Sequence, residues 1–257
     1  MIVCAYPCGK TFVRSIFQTP LPLPFMRGFA KMLSADLYEQ RVLRGNMNTL
    51  DLILDNGIIA IARGIYGENL KNAAKALFDA GIRAFEVTFE QDGDSERTLE
   101  AIAMLNREFS YCCAVGAGTV LTEHQLSSAK KAGASYIVSP NTDEAVIKRT
   151  KELGMVSIPG AMTPTEIITA HMLGADIVKL FPAGELGLAY FKAVRAPLSN
   201  IRLAAVAGIT HDNIGEFKKA GACAFGISSG LFVRELIAQG RYEALRDNAS
   251  RYLSLIR

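Results

Sequence analysis

Residues 58–89 read IIAIARGIYGENLKNAAKALFDAGIRAFEVTF, and this stretch contains the repeating unit on which the fold depends. It begins with a short apolar run and ends with a second run, Ile82 to Phe89. Between the two runs, apolar residues recur at the i, i+3, i+4, i+7 and i+8 spacing of one helix face: Leu70, Ala73, Ala74, Leu77 and Phe78. A strand, a helix and a strand in this order predict a βαβ unit with two parallel strands.

The same alternation continues along the chain after Met47. Eight apolar runs are predicted to be strands: Ile58–Arg63, Ile82–Phe89, Cys113–Gly118, Tyr136–Ser139, Met155–Ile158, Asp176–Phe181, Leu203–Val206 and Ala222–Ile227. Eight units without a linker favour one (β/α)8 TIM barrel over residues 47–257. An open doubly wound sheet is the alternative, but its glycine-rich dinucleotide fingerprint does not follow the first strand.

Residues 1–46 differ from the rest and are predicted to be an extension outside the barrel. Pro20, Pro22 and Pro24 lie close together there, and no hydrophobic period persists. Two explanations stay open: Met47 is the biological start, or the segment is an appended tail or targeting sequence.

Composition restricts the function classes. The formal net charge is only +3, and acidic and basic residues alternate along most segments, so no nucleic-acid partner is expected. The five cysteines lack zinc-binding spacing and are interpreted as reduced thiols: Cys4, Cys8, Cys112, Cys113 and Cys223. No segment has the apolar length of a membrane span, and no signal peptide is recognisable. We therefore expect a cytoplasmic protein without a membrane partner.

Lys179 is the strongest candidate for chemistry, because it lies within the apolar run DIVKLF at 176–181. Burial favours the neutral amine, so the pKa of Lys179 should fall, and a neutral amine is the nucleophile that imine formation needs. The alternative is a lysine whose ammonium reaches solvent or pairs with an acid for structural reasons.

Glu86 is the predicted partner of Lys179. Strand alternation places Phe85, Val87 and Phe89 on one face and Glu86 on the other, so the carboxylate should point into the barrel. A buried carboxylate needs a partner, and the two groups could form a structural ion pair. Alternatively, Glu86 is an acid/base whose pKa is raised by burial.

Other polar or glycine-rich strand ends face the same mouth of the predicted barrel. The candidates for substrate binding are Arg63, Thr119, Pro140, Gly208 and Ser229. Gly116 and Gly118 are expected to let a ligand approach the backbone, and loops after the last two strands often bind phosphate. The three histidines, His124, His171 and His211, are isolated, so neither a metal nor another cofactor is expected.

Together, several motifs resemble the 2-keto-3-deoxy-6-phosphogluconate (KDPG) and 4-hydroxy-2-oxoglutarate aldolase family, which includes phosphogalactonate aldolases. They are EVT at 86–88, GAGTV at 116–120, SPN at 139–141, PG at 159–160, TPTE at 163–166 and KLFPA at 179–183. The resemblance runs from about Met47 to the C-terminus.

This resemblance implies a class I aldolase, usually a homotrimer, that cleaves a phosphorylated keto-deoxy sugar acid to pyruvate and glyceraldehyde 3-phosphate. It assigns the imine to Lys179 and proton transfer to Glu86. Thr119 and Pro140 would line the pyruvate site, and Gly208 and Ser229 would hold the phosphate.

Two positions depart from the family pattern. Glu90 stands where many members have an arginine that holds the substrate carboxylate, and Arg63 is the expected substitute. Val206 stands where many members have threonine. A valine at this position is more similar to the phosphogalactonate branch. Two other functions remain open: a phosphate-binding isomerase or epimerase that uses Glu86 without an imine, and a non-catalytic sugar-phosphate sensor.

Overall fold

The computed structural model describes residues 48–93, 95–109 and 112–257, so the predicted extension over residues 1–46 lies outside the described residues. The strands are β1 Ile58–Ala62, β2 Ala84–Thr88, β3 Ala114–Gly118, β4 Tyr136–Val138, β5 Val156–Ile158, β6 Gly160–Ala161, β7 Val178–Leu180, β8 Leu203–Val206 and β9 Ala224–Ile227. The helices are α1 Thr49–Asn56, α2 Gly67–Ala80, α3 Ser95–Phe109, α4 Glu123–Lys131, α5 Glu144–Glu152, α6 Pro164–Met172, α7 Ala183–Arg195, α8 Ile214–Lys219, α9 Arg234–Ala238 and α10 Tyr242–Ser254.

All strand pairs are parallel, in the order β5-β4-β3-β2-β1-β9-β8-β7-β6. Only Pro159 separates β5 from β6; β5 pairs with β4, and β6 pairs with β7. The Pro159 carbonyl accepts a hydrogen bond from the Lys179 N–H at 2.9 Å. β5, which lies within the fifth predicted run, and β6, just beyond that run, therefore join both ends of the sheet. This closure confirms the predicted (β/α)8 barrel.

The strand register separates an inner from an outer face. Ile61, Glu86, Gly116 and Tyr136 are successive partners across β1 to β4, so their side chains share the inner face. The outer face belongs to the main apolar core against the helices and includes Phe85, which is 1% exposed. The inward direction predicted for Glu86 is confirmed.

Helix α1 is an element that the hydrophobic pattern did not predict. Its N-cap is Asn48, whose side chain accepts from the Asp51 N–H, and it ends at Gly57, directly before β1. It contacts β1, β2, β3 and β9, so it lies across the N-terminal end of the barrel. Closure at this end leaves the opposite end as the accessible mouth. No helix in the described part of the chain has both the length and the apolar character needed to cross a bilayer.

Candidate active site

Lys179 is the middle residue of β7 and is only 6% exposed, between Val178 and Leu180, which are both fully buried. Its Nζ lies 4.6 Å from the centroid of the Phe181 ring. Burial lowers the pKa of Lys179, the Glu86 carboxylate opposes this shift, and Arg63 adds to it. The structure therefore favours the neutral amine more than solvent would.

Glu86 is the middle residue of β2 and is 3% exposed inside the barrel. Burial raises the pKa of its carboxyl, whereas Lys179 and Arg63 partly oppose the shift because each cation favours the carboxylate. A raised carboxyl pKa lets one group accept and return a proton near neutral pH.

Lys179 and Glu86 line one cavity of about 550 Å³ but do not form a direct ion pair. The structure therefore does not contain the structural Glu86–Lys179 ion pair that was the alternative. The amine-bearing and carboxylate-bearing residues therefore both line the same open cavity.

The glycines of β3 make room for inner-face side chains. A Cβ at Gly118 would overlap the Glu86 carboxylate, and a Cβ at Gly116 would lie 2.5 Å from the ring of Tyr136. We expected these two glycines to leave space for a ligand beside the backbone, and this explanation was wrong. They admit protein side chains, of which one is the candidate acid/base.

Gly208 and Ser229, predicted for phosphate binding, both line the cavity. The carbonyls of Gly208 and Gly230 accept from the amides of Asn213 at 2.8 Å and Asn248 at 2.7 Å. Within the described residues, the N–H groups of Gly208, Ser229 and Gly230 donate to no acceptor. Unused backbone donors beside a cavity suit an anion.

The loop after β8 also approaches α7 closely. Ala207 and Gly208 both have left-handed backbones, with φ of 70° and 69°. A Cβ at Gly208 would lie 2.8 Å from the Gly184 Cα, so glycine is needed at this crossing. This contact holds the candidate phosphate loop against the N-terminal turn of α7.

The remaining predicted residues have different positions. Arg63 lines the cavity, whereas Thr119 and Pro140 are not among its lining residues. Thr119 directly follows Gly118, and the Pro140 carbonyl packs against Gly160, the strand partner of Lys179. Thr119 therefore follows the strand next to Glu86, whereas Pro140 follows β4, two strands from β2. The substrate contacts of both residues stay predictions.

Glu90 is exposed near the mouth. Its Oε1 and the Arg234 Nη2 are each 3.2 Å from the position that a Cβ on Gly64 would occupy. An acid at position 90 is therefore beside a guanidinium that comes from the other end of the chain.

Sequence reasoning missed several residues at this site. Tyr136 is fully buried on the inner face, and its hydroxyl has no hydrogen-bond partner among the described residues. Arg234 and Tyr252 line the cavity from α9 and α10. Their helices follow the last strand, and no local pattern distinguishes a helix residue that reaches the mouth from one that faces solvent.

No cluster of three His, Cys, Asp or Glu side chains in the described part of the chain could hold a metal ion. Burial raises the pKa of Cys223 to about 11. The pKa of Cys113 is also raised, first by its hydrogen bond with Cys112 and then by burial. These two thiols therefore stay protonated near neutral pH. Cys4 and Cys8 lie outside the described residues.

Comparison with known proteins identifies the family to which this arrangement belongs. The model of the KDPG and KHG aldolase family matches residues 52–247. The chain belongs to this family. It is therefore a carbon–carbon lyase of the aldolase class, and the resemblance seen in the sequence is confirmed.

Individual relatives agree with this assignment. A probable 2-dehydro-3-deoxy-6-phosphogalactonate aldolase of Rhizobium meliloti is 35% identical over 180 residues, which are 70% of this chain and 83% of the relative. A structure described as native KDPGal has a TM-score of 0.69 and 32% identity, covering 77% of this chain and 93% of its own.

A KDPG aldolase from Legionella pneumophila, described with pyruvate captured as a covalent carbinolamine intermediate, shares the fold. Its TM-score is 0.71 at 23% identity, covering 79% of this chain and 97% of its own.

The charges around Lys179 predict opposite pH shifts for two substitutions. The Glu86 carboxylate raises the pKa of Lys179 and Arg63 lowers it. Glu86→Gln should therefore move the midpoint of imine formation to lower pH, and Arg63→Met should move it to higher pH. The measurement is the initial rate of borohydride trapping with pyruvate against pH at low ionic strength. Shifts in the same direction for both variants would contradict this electrostatic description.

Proposed function

We propose that the chain cleaves 2-keto-3-deoxy-6-phosphogluconate, or a close 2-keto-4-hydroxy acid, to pyruvate and an aldehyde such as glyceraldehyde 3-phosphate, through an imine on Lys179. The observation that supports this most is a buried amine with a lowered pKa, which faces a buried acid across an open cavity. The Legionella relative, with pyruvate held as a carbinolamine, is consistent with the same chemistry.

The reaction begins when the neutral Lys179 Nζ attacks the C2 carbonyl to give a carbinolamine. Protonated Glu86 then gives its proton to the departing hydroxyl, so that water leaves and a protonated imine remains beside the Glu86 carboxylate. This C=N⁺ accepts the electron pair of the C3–C4 bond as the bond breaks, while Glu86 takes the proton of the C4 hydroxyl. The aldehyde then departs, Glu86 returns the proton to C3 of the enamine, and hydrolysis releases pyruvate. No external oxidant or metal takes part in these steps.

The substrate's two anionic ends have separate binding groups in this proposal. Arg63, which is close enough to influence both Lys179 and Glu86, holds the C1 carboxylate together with Thr119, and Pro140 lines the pyruvate site. The unpaired N–H groups at Gly208 and Ser229 hold the phosphate. Fixing both ends aligns the C3–C4 bond with the imine.

The phosphogalactonate epimer is a second candidate substrate. Val206 lines the cavity where many family members have threonine, and its methyl groups are 2.8 Å and 2.9 Å from a Cβ built on Gly226. This wall therefore offers no hydroxyl to distinguish the two configurations at C4. Steady-state rates on both epimers and on 4-hydroxy-2-oxoglutarate would identify the preferred substrate.

Borohydride reduction in the presence of pyruvate tests the proposed function. We expect a stable adduct on the peptide that contains Lys179, and no adduct on exposed Lys192, which serves as an internal control. An isomerase or epimerase would lack the adduct and convert sugar phosphates without cleavage. A sensor would be stabilised by sugar phosphates without any turnover. Either result would exclude the aldolase proposal.

We also propose that the chain assembles as a homotrimer through an apolar patch on α6. Met172 is 80% exposed, Ile168 lies one turn earlier at 41%, and Met162 precedes the helix at 46%. Exposed apolar side chains grouped in this way are typical of protein interfaces. A second copy of the chain is the occupant that the family resemblance implies.

Met172→Glu should convert the trimer to monomers, because it places a charge in an apolar contact. The measurement is mass by light scattering after gel filtration, and the matched control is His171→Glu on the adjacent, exposed position of the same helix. A monomeric wild-type protein, or a trimeric Met172→Glu variant, would contradict this interface.

Residues 47–257 are proposed to be the complete catalytic unit, with residues 1–46 as an extension. The family match begins at residue 52, after the N-cap of α1. A protein that starts at Met47 should therefore keep the wild-type kcat/KM and melting temperature; a loss of either would assign the extension a part in the barrel. Free thiols at Cys113 and Cys223 are consistent with a cytoplasmic location.

A further inference from the structure

Tyr136 is a buried phenol that takes no part in the imine mechanism. It is the first residue of β4, it has no exposed surface, and it is among the largest fully buried side chains of the described residues. Its hydroxyl has no hydrogen-bond partner among these residues. A buried hydroxyl is costly unless it finds a partner, so this one is expected to bind ordered water or a nearby polar group.

The strand between Tyr136 and Glu86 leaves the inner face between them open. In register, Glu86 of β2 pairs with Gly116 of β3, and Gly116 pairs with Tyr136 of β4. Because side chains alternate along a strand, β3 contributes only Ala114, Gly116 and Gly118 to this face. On β3, therefore, no side chain larger than a methyl group separates the phenol from the carboxylate.

The two glycines also locate the phenol relative to the carboxylate. A Cβ on Gly116 would lie 2.5 Å from Cζ of Tyr136, and a Cβ on Gly118 would overlap the Glu86 carboxylate. The two glycines are two residues apart on one strand, so their Cα atoms are about 7 Å apart. The two groups are thus neighbours along the strand direction but do not form a direct hydrogen bond. Such a separation suits one bridging water.

Tyr136 approaches the acid from the interior of the barrel. Glu86 lines the substrate cavity, whereas Tyr136 does not. Burial raises the pKa of the Tyr136 hydroxyl well above its usual range, and Glu86 and Cys113 raise it further, so the phenol stays a proton donor. At Glu86, burial raises the carboxyl pKa, and the cations Lys179 and Arg63 oppose this shift. A neutral donor on the interior side would act in the same direction as the two cations.

We propose that Tyr136 is a positioning residue: through one buried water, its hydroxyl holds the Glu86 carboxylate from the barrel interior after that acid has given its proton to the departing hydroxyl of the carbinolamine. This inference rests on the proposed aldolase function. The phenol donates to the water, and the water donates to a carboxylate oxygen, so neither forms a covalent bond with the substrate. Hydrogen bonds to a carboxylate favour its ionised form, which is the form that accepts the C4 hydroxyl proton.

Exchange of the pyruvate methyl protons with deuterated water tests this role. In the reverse of enamine protonation, the Glu86 carboxylate removes a C3 proton from the pyruvate imine. Y136F keeps the ring against Gly116 and removes only the oxygen. It should raise the pH midpoint of the exchange rate by roughly 0.5 to 1 unit, and below this midpoint it should slow exchange by about 3- to 10-fold. The matched control is Y242F, which removes a hydroxyl from the start of α10, outside the cavity, and should change neither value.

A double-mutant cycle distinguishes positioning from a merely structural effect. In an E86Q background, Y136F should change the residual exchange rate by less than about twofold, because its effect acts through the carboxylate. The final yield of the pyruvate adduct on Lys179 should equal that of the wild type, since the amine is untouched.

Three results would overturn the proposal. They are an unchanged pH midpoint in Y136F, an equal loss of exchange with and without the Glu86 carboxylate, and a higher melting temperature with wild-type exchange. The last is expected if the hydroxyl is simply buried without a partner. Absence of the pyruvate adduct in the wild-type protein would instead contradict the aldolase function itself.

Discussion

Replacing Lys179 by methionine should reduce cleavage of the keto acid by at least about 10⁴-fold, because the nucleophile that forms the imine is lost. Methionine has a similar length and no charge, so it fits between Val178 and Leu180 without a buried ammonium. Glu86 then lacks its nearest cation and should become still harder to ionise. The measurement is kcat in a coupled pyruvate assay, with borohydride trapping in parallel.

Lys192→Met is the matched control for this change, because Lys192 is exposed on α7 and the variant carries the same change of charge. It should keep the wild-type rate and adduct. Melting temperatures and near-ultraviolet circular dichroism would verify that both variants are folded. A Lys179→Met protein that retained a tenth of the wild-type activity would remove the imine from the mechanism and favour an isomerase or a different nucleophile.

The second large effect is expected from Gly118→Ala, although residue 118 carries no side chain. The new methyl group would occupy the position of the Glu86 carboxylate, so the acid must move away from its place beside Lys179. We expect kcat to fall by roughly 10² to 10⁴-fold, the range attributed to a general acid/base. Because Lys179 is untouched, an adduct with pyruvate should still form.

Gly215→Ala in α8 is the matched control, since its added Cβ would meet only the Leu255 carbonyl at an ordinary 3.8 Å. Overpacking at position 118 should also lower the free energy of unfolding by about 1 to 3 kcal/mol, measured by urea denaturation. If Gly118→Ala retained the wild-type kcat and pH profile, the carboxylate of Glu86 would not need its present position, and its role as acid/base would be wrong.

The barrel was predictable because its signals are local. Each strand carries a short apolar run, and the helix after β1 shows its buried face as a period of 3.6 residues over Leu70 to Phe78. The division of the fifth strand at Pro159 was not predictable in detail. Which segments pair with β4 and which with β7 depends on how the whole sheet closes.

The burial of Lys179 and the inward direction of Glu86 were predictable for a similar reason. Alternation within β2 gives the direction of Glu86, and a lysine surrounded by Val178 and Leu180 stands out in any strand. The glycines of β3 were recognised as important for a reason that the structure corrects. Their role depends on side chains of neighbouring strands, Glu86 and Tyr136, and a one-dimensional pattern does not show which atoms face a missing Cβ.

The sequence by itself determined the class of fold, the inward direction of Glu86 and the burial of Lys179, because periodicity and apolar neighbours act within a few residues. The tertiary structure alone decided what completes the cavity. Arg234 meets the carbonyl of Arg63 across 171 residues, and Tyr252 reaches the Gly230 loop from the last helix. Such contacts arise only when barrel closure brings the first and last strands together, through the parallel pairing of β1 with β9.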